Sequence, residues 1–274
     1  MSASLLTSPK DIDAAAEAAV CVRKTHEALV DYLKAGQTLP EIDGFVGSTL
    51  KSLGCKSSFF RYRIPKLPPF PSQSCISVNE CIVHGTHTMS SKPLEPGDII
   101  SIDIGVEKRG WIGDAAWTYA IEHASDDALR LMRAGRESLA AGIDAMQPGR
   151  PLLDWARAVQ RVAMEEAGFH IVKNLGGHGY GKKLHGPPFI ANRVPAFRAE
   201  WPDAWLPFAP GMLIAVEPML AIGTDETHAE SRSWPIFTAD GSLSVHYEAD
   251  VLITPDGPRD LTTGMDQLPD IVGG

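Results

Sequence analysis

Apolar positions recur at helical spacing early in the chain. Pro9 with Asp11 and Asp13 marks a helix start, and Val22, His26, Leu29 and Leu33 then share one stripe until Gly36. A second helix is expected from about Pro40 to Leu53, with Val46, Leu50 and Leu53 on one face. From Cys75 through Ile121 the period changes to two. Ile100-Ser101-Ile102-Asp103-Ile104 alternates as a half-buried strand does, and Trp111 to Ile121 reads as its return partner. The order then repeats. Ser125-Asp126-Asp127 caps a helix to about Met146, a further helix near Leu152 to Glu166 carries Leu152, Trp155, Val159 and Val162, and strand-like segments return from Ile171 onward. Two helices and then strands, given twice, predict an α+β fold with internal pseudo-symmetry, halves at about 10–122 and 123–260 of one domain spanning 1–274. Ile64 to Pro71 and Pro195 to Pro210 read as surface loops.

Composition narrows the function more than the fold. A net charge of −9 with scattered Lys and Arg excludes nucleic acid or an anionic membrane as the main partner, because phosphate binding needs a basic face. Met1 to Lys10 lacks the apolar core of a signal peptide and no long apolar run follows, so a cytoplasmic location is expected, with a monomer as the default. Cys21, Cys55, Cys75 and Cys81 show no zinc-type spacing and read as reduced thiols.

The chemistry concentrates in acidic residues at strand-like positions. A turn centred between Lys108 and Arg109 would set Asp103 directly opposite Asp114, with a repulsion of roughly 3–4 kcal/mol at an effective dielectric of about 20. No Lys or Arg is placed to relieve it, so a divalent metal is the economical counter-charge. His178 lies in a Gly-rich run, Gly176-Gly177-His178-Gly179-Tyr180-Gly181, that excludes a helix. Glu217 precedes Pro218 and is thereby pushed into an extended conformation at a strand end. Glu248 sits in the middle of the strand-like run Ser244 to Leu252, where Glu is disfavoured unless compensated. This oxygen-rich set suits a pair of divalent ions. Asp240-Gly241 signals a hairpin whose two-residue loop would put Ser233 opposite Glu248 and Trp234 beside it. His87 reads as a surface loop residue, His246 as a hydrogen-bonding or solvent-facing neighbour of Glu248, and Cys55 and Cys81 as small core residues.

Asn79-Glu80-Cys81-Ile82-Val83-His84-Gly85, Ile102-Asp103-Ile104-Gly105, Gly113-Asp114, Gly177-His178-Gly179 with Leu184-His185, Val216-Glu217-Pro218-Met219 and Tyr247-Glu248 together resemble the type I methionine aminopeptidases over nearly the whole chain. The resemblance implies the pita-bread fold and a dinuclear metal site held by Asp103, Asp114, His178, Glu217 and Glu248, with cobalt, manganese, iron, nickel or zinc all tolerated. It implies release of the initiator methionine before a small second residue, from nascent chains or peptides, with transient ribosome contact. Water between the ions would ionise at a pKa of about 7 and Glu217 would carry its proton. His84 would stand beside the scissile amide and His185 beside its oxygen. Phe70, Cys75 and Trp234 would fall in the methionine pocket, and backbone carbonyls of Asn79, Cys81 and Ser244 would hold a sodium or potassium ion. Met1-Ser2-Ala3 fits the same substrate rule, so the mature chain is expected to begin at Ser2.

The pattern departs from the family at the pocket rim, where Pro65-Lys66-Leu67-Pro68-Pro69-Phe70-Pro71 replaces a Gly-Tyr-rich segment, and after His84-Gly85, where Thr86-His87 follows. An Xaa-Pro aminopeptidase or prolidase relative is the alternative, disfavoured by the short stretch before Asn79. A non-catalytic module on the same fold is a third, disfavoured by the intact set of five ligands. A specialised paralogue would concentrate its changes in the pocket, where they occur.

Overall fold

The computed structural model describes Leu5, Leu6 and residues 8–274; Met1-Ser2-Ala3, and with it the expectation that the mature chain begins at Ser2, lies outside the described residues. Helix α1 (Pro9–Tyr32) opens on Pro9, whose fixed φ suits the first turn. Its small inner residues Ala15, Ala18 and Ala19 are fully buried because the sheet comes very close. A Cβ on Gly113 would stand 2.6 Å from the carbonyl carbon of Ala18, so glycine there is what lets the helix lie on the strand. Helix α2 (Leu39–Ser52) starts with a capping box: Thr38 N–H donates to Glu41 Oε2 at 2.8 Å.

The long hairpin Ile99–Lys108 and Trp111–Ile121 is the centre of the first half. Its register differs from the expected one by two residues. The loop is Arg109-Gly110, both left-handed at φ 51° and 79°, the two-residue turn that matches strand twist. Asp103 therefore pairs with Ala116 and Asp114 with Gly105, which leaves the two carboxylates diagonal on one face rather than opposed. The strand is also not half-buried: Ile99 through Val106 is buried on both faces. One face meets α1. The polar face meets the second half, where Ser101 Oγ and Thr118 Oγ1 lie 2.8 Å apart and His246 N–H donates to Thr118 Oγ1 at 3.2 Å.

Helix α3 (Asp126–Ala145) is capped by Ser125, whose hydroxyl accepts from Ala128 N–H. Helix α4 (Leu153–Gln160) runs into a π-helical turn over Arg161–Glu166. The second half carries a sheet in the order Gly257–Asp260, Ala249–Thr254, Leu213–Val216, Gly176–Gly179, Gly186–Ala191. The main apolar cluster draws on residues from Leu6 to Val272, and a smaller one gathers Ile82, Val83, Val172, Met219 and Ala221. The main cluster takes residues from helices α1 to α4 and from both five-stranded sheets, with Trp117 packed edge-on to Tyr247 at 4.8 Å.

Two further expectations change. The stretch 195–210 is not merely a surface loop, since Trp201 and Phe208 are buried and a short 3-10 turn spans Pro202–Trp205. The Asp240-Gly241 hairpin does not form, either. Ile236–Thr238 pairs with Thr227–Ala229 and with Cys81–Val83, while Ser244–His246 pairs with Met219–Ala221. The turn closes on itself instead: Thr238 Oγ1 donates to Ser242 O at 2.8 Å and Ser242 N–H to Asp240 Oδ1 at 3.0 Å.

Candidate metal centre

The site lies where the hairpin's polar face meets the second sheet. Asp103 and Asp114 come from the hairpin; His178 comes from Gly176–Gly179, paired with Ala215. Ala249 pairs with Val216, so Glu217 and Glu248 leave adjacent strands side by side at the same end of the ladder. Glu248 is thus not in mid-strand. The run expected as one strand breaks at Tyr247-Glu248, and Glu248 N–H crosses to the carbonyl of Ala116 at 2.9 Å. Ligand atoms of Asp114, His178 and Glu248 all fall within 4.8 Å of one another. His178 Nε2 is 3.8 Å from Asp114 Oδ2 and 3.8 Å from Glu217 Oε1.

These groups are expensive to bury as they stand. Burial, and then the neighbouring Glu217 charge, pushes the Asp103 carboxyl up to about 8, and burial with Asp103 beside it raises Asp114 well above its ordinary value. Glu217 and Glu248 are raised by the same causes, burial first and then Asp114. Asp103 Oδ1 and Asp114 Oδ1 are buried without any hydrogen-bond partner. Burial holds His178 at about 3, so its imidazole is neutral, and its Nδ1 lies 3.2 Å from Gly179 O. A proton on Nδ1 donates there and leaves the Nε2 lone pair facing the carboxylates. Orphaned acceptors around a neutral imidazole form a donor set that fits hard or borderline divalent ions.

Supporting groups fix the ligands. Asp250, itself fully buried, accepts from Asp114 N–H through Oδ2 at 2.9 Å, and Asn192 Nδ2 donates to Glu217 O at 2.9 Å. His246 faces the site and not solvent: its Nε2 is 3.6 Å from Glu217 Oε2 and 3.8 Å from Glu248 Oε2. Burial keeps it neutral, at about 3.

A cavity of about 280 Å³ opens on the cluster. Phe70, Cys75, His84, His185 and Trp234, all expected there, line it, together with Tyr62, which sequence reasoning missed. Trp234 does not face Glu248 across a ladder. It sits in a loop, edge-on to Phe70 at 5.2 Å and to His84 at 6.0 Å, and its Nε1–H donates to Pro68 O at 2.9 Å. His84 is half-buried at the cavity wall, and its imidazole is held down at about 4, first by desolvation and then by His185 nearby. Pro-rich segment 64–71 is exposed at Ile64 yet ends in buried Phe70. His87 is more than a surface residue: Ser72 Oγ is 2.8 Å from its Nδ1, and Asp43 Oδ2 lies 3.5 Å away. Away from the cavity, Ser244 Oγ donates to Asn79 O at 2.9 Å and lies 3.2 Å from Cys81 O. All four cysteines are free.

Buried carboxylates gathered round a neutral imidazole beneath an apolar cavity, on an α+β frame of this topology, define a metal-dependent hydrolase of the pita-bread class. The chain belongs to metallopeptidase family M24, whose sequence profile matches residues 13–255. It is 37% identical over 259 residues to methionine aminopeptidase 1 of Mycobacterium tuberculosis, covering 93% of each chain. The crystal structure of methionine aminopeptidase from Thermotoga maritima superposes with a TM-score of 0.86 at 30% identity, covering 95% of this chain and 99% of that one. An Xaa-Pro dipeptidase from Bacillus anthracis shares the fold at 21% identity and a TM-score of 0.75, and the chain spans 64% of its length. No helix among the described residues is long and apolar enough to cross a membrane.

Proposed function

We propose that this chain removes the N-terminal methionine from peptides and nascent proteins whose second residue is small, with residues 10–122 and 123–260 as the two halves of one catalytic domain. The observation that carries the reading is the cavity itself. Its walls are aromatic and thiol groups, which suit a polarisable thioether side chain, and its floor is the carboxylate cluster. Similarity to enzymes named for that activity supports it.

Two divalent ions, of cobalt, manganese, iron, nickel or zinc, would be held by Asp103, Asp114, His178, Glu217 and Glu248. They supply Lewis-acid polarisation and ease the ionisation of water at neutral pH. The chain's own groups do the rest. Glu217, high in pKa through burial and next to the cluster, takes a proton from the attacking water and returns it to the leaving amine. His84, neutral and half-buried beside Trp234, is placed to hold the scissile amide. His185, from the other wall, donates to the carbonyl oxygen as negative charge develops there. Phe70, Cys75 and Trp234 enclose the methionine side chain and exclude water. The backbone carbonyls of Asn79, Cys81 and Ser244 would hold a sodium or potassium ion.

The test is a peptide assay on protein reconstituted with each metal, comparing Met-Ala-Ser with Ala-Pro and Xaa-Pro tripeptides. Turnover of the Met peptide alone is expected, and cleavage confined to the proline peptides would overturn the reading. Glu217→Gln should lose about 100-fold or more in kcat while retaining metal. Parent-like activity would remove Glu217 from its role.

A further inference from the structure

We propose that Tyr62 is a positioning residue that fixes the His185 ring in the tautomer carrying its proton on Nε2. This rests on the reading of His185 as the donor to the carbonyl oxygen and deepens it. The phenol oxygen of Tyr62 lies 2.7 Å from His185 Nδ1, with the rings 5.2 Å apart and inclined at 59°. A neutral imidazole has one acceptor nitrogen and one donor nitrogen, and a phenol has one proton to give. When Tyr62 donates to Nδ1, the His185 proton is confined to Nε2. His178, whose ring lies against His185 at 4.4 Å, meets Gly179 O with its own Nδ1 at 3.2 Å and so does not compete for that proton.

The loop that carries Tyr62 is built to hold it. Tyr62 N–H donates to Phe59 O at 2.8 Å, Phe70 N–H donates to Tyr62 O at 2.9 Å, and Arg61 N–H donates to Phe70 O at 2.8 Å. Arg61 takes a left-handed φ of 64° to turn the chain there. The far end of the loop is fastened by Trp234 through Pro68 O. Residues 61–70 thus form a pinched loop with Phe70 turned into the cavity at one end and the Tyr62 phenol on His185 at the other. Pro65 to Phe70, the segment in which this chain departs from the pattern it resembles, therefore does more than reshape the rim. It links the pocket wall to the orientation of the group that meets the substrate oxygen.

Nitrogen-15 NMR of the histidine rings in the metal-free protein, with His185→Ala to assign the signal, reads the tautomer directly. Parent protein should show His185 protonated at Nε2, and Tyr62→Phe should show a mixture of both forms. A proton on Nδ1 in the parent, or an unchanged ring in the variant, would overturn the proposal. In the metal-loaded enzyme Tyr62→Phe should lower kcat about tenfold with KM for Met-Ala-Ser within about twofold, and should cost nothing further in a His185→Ala background. If His185→Ala itself turns over like the parent, the oxyanion reading fails. If His185→Ala is slow while Tyr62→Phe matches the parent, only the tyrosine's role fails.

Discussion

Metal-free protein should lose stability as pH rises through neutrality, and the loss should trace to Asp103. The folded chain holds this carboxyl at about 8, whereas an unfolded aspartate titrates near 4. Between roughly pH 6.5 and 8 the folded state therefore binds a proton that the unfolded state has released, and the free energy of unfolding falls with pH. Integrated over that window, one such group removes about 2 kcal/mol. For a chain of 274 residues that is roughly 4 °C in Tm. Asp114, Glu217 and Glu248 are raised as well and act with the same sign. The histidines act oppositely, being neutral when folded, and so does Cys21, whose thiol is pulled down to about 6 chiefly by the Cys55 thiol against it. A difference measurement removes both. Differential scanning fluorimetry of parent and Asp103→Asn, each stripped with a chelator, should show the parent falling about 4 °C further across the window. Saturating divalent metal should flatten or invert the parent's slope, because protons and metal compete for the same oxygens. Identical slopes in parent and variant would refute the account of a strained carboxylate cluster.

Gly113→Ala should destabilise by about 3 kcal/mol, since the new Cβ meets helix backbone at 2.6 Å and backbone cannot step aside; urea denaturation with unchanged m-value checks it. Trp234→Leu removes both a cavity wall and the hydrogen bond to Pro68 O, so KM for Met peptides should rise several-fold while metal content stays unchanged, which peptide kinetics and elemental analysis together read.

The helices were legible in the sequence because an amphipathic stripe and its caps are local, as at Pro9 and Ser125, whereas the Thr38–Glu41 box that opens the second helix was not read. The gathering of Asp114, His178 and Glu248 was legible in part, because acidic residues in strand-like surroundings are unfavourable unless something compensates, although Glu248 lies in a break between strands and not within one. Register was harder. Gly110 was a visible signal for a turn one residue later than the one expected, and reading Arg109-Gly110 as the two central residues gives the observed pairing. The break at Tyr247-Glu248 and the misplaced Asp240-Gly241 hairpin arise from competition between strands far apart in sequence. Ser244–His246 is claimed by Met219–Ala221, and no local pattern announces that choice. Tyr62 went unnoticed for the same reason. Its partner is 123 residues away, and nothing in Arg61-Tyr62-Arg63 marks a phenol that will meet an imidazole.

The polar face of the long hairpin, with Asp103 and Asp114 on it, is closed over by strands from the other half, and Glu248 reaches Ala116 only when that closure is complete. Cation capture is accordingly a late step in the chain's assembly: two of the five proposed donors, Asp103 and Asp114, are made early in synthesis and must wait for the other three. A truncated polypeptide ending before Tyr247 would present an open rack of acids with no grip, so loading with metal acts as a report that the whole molecule has arrived.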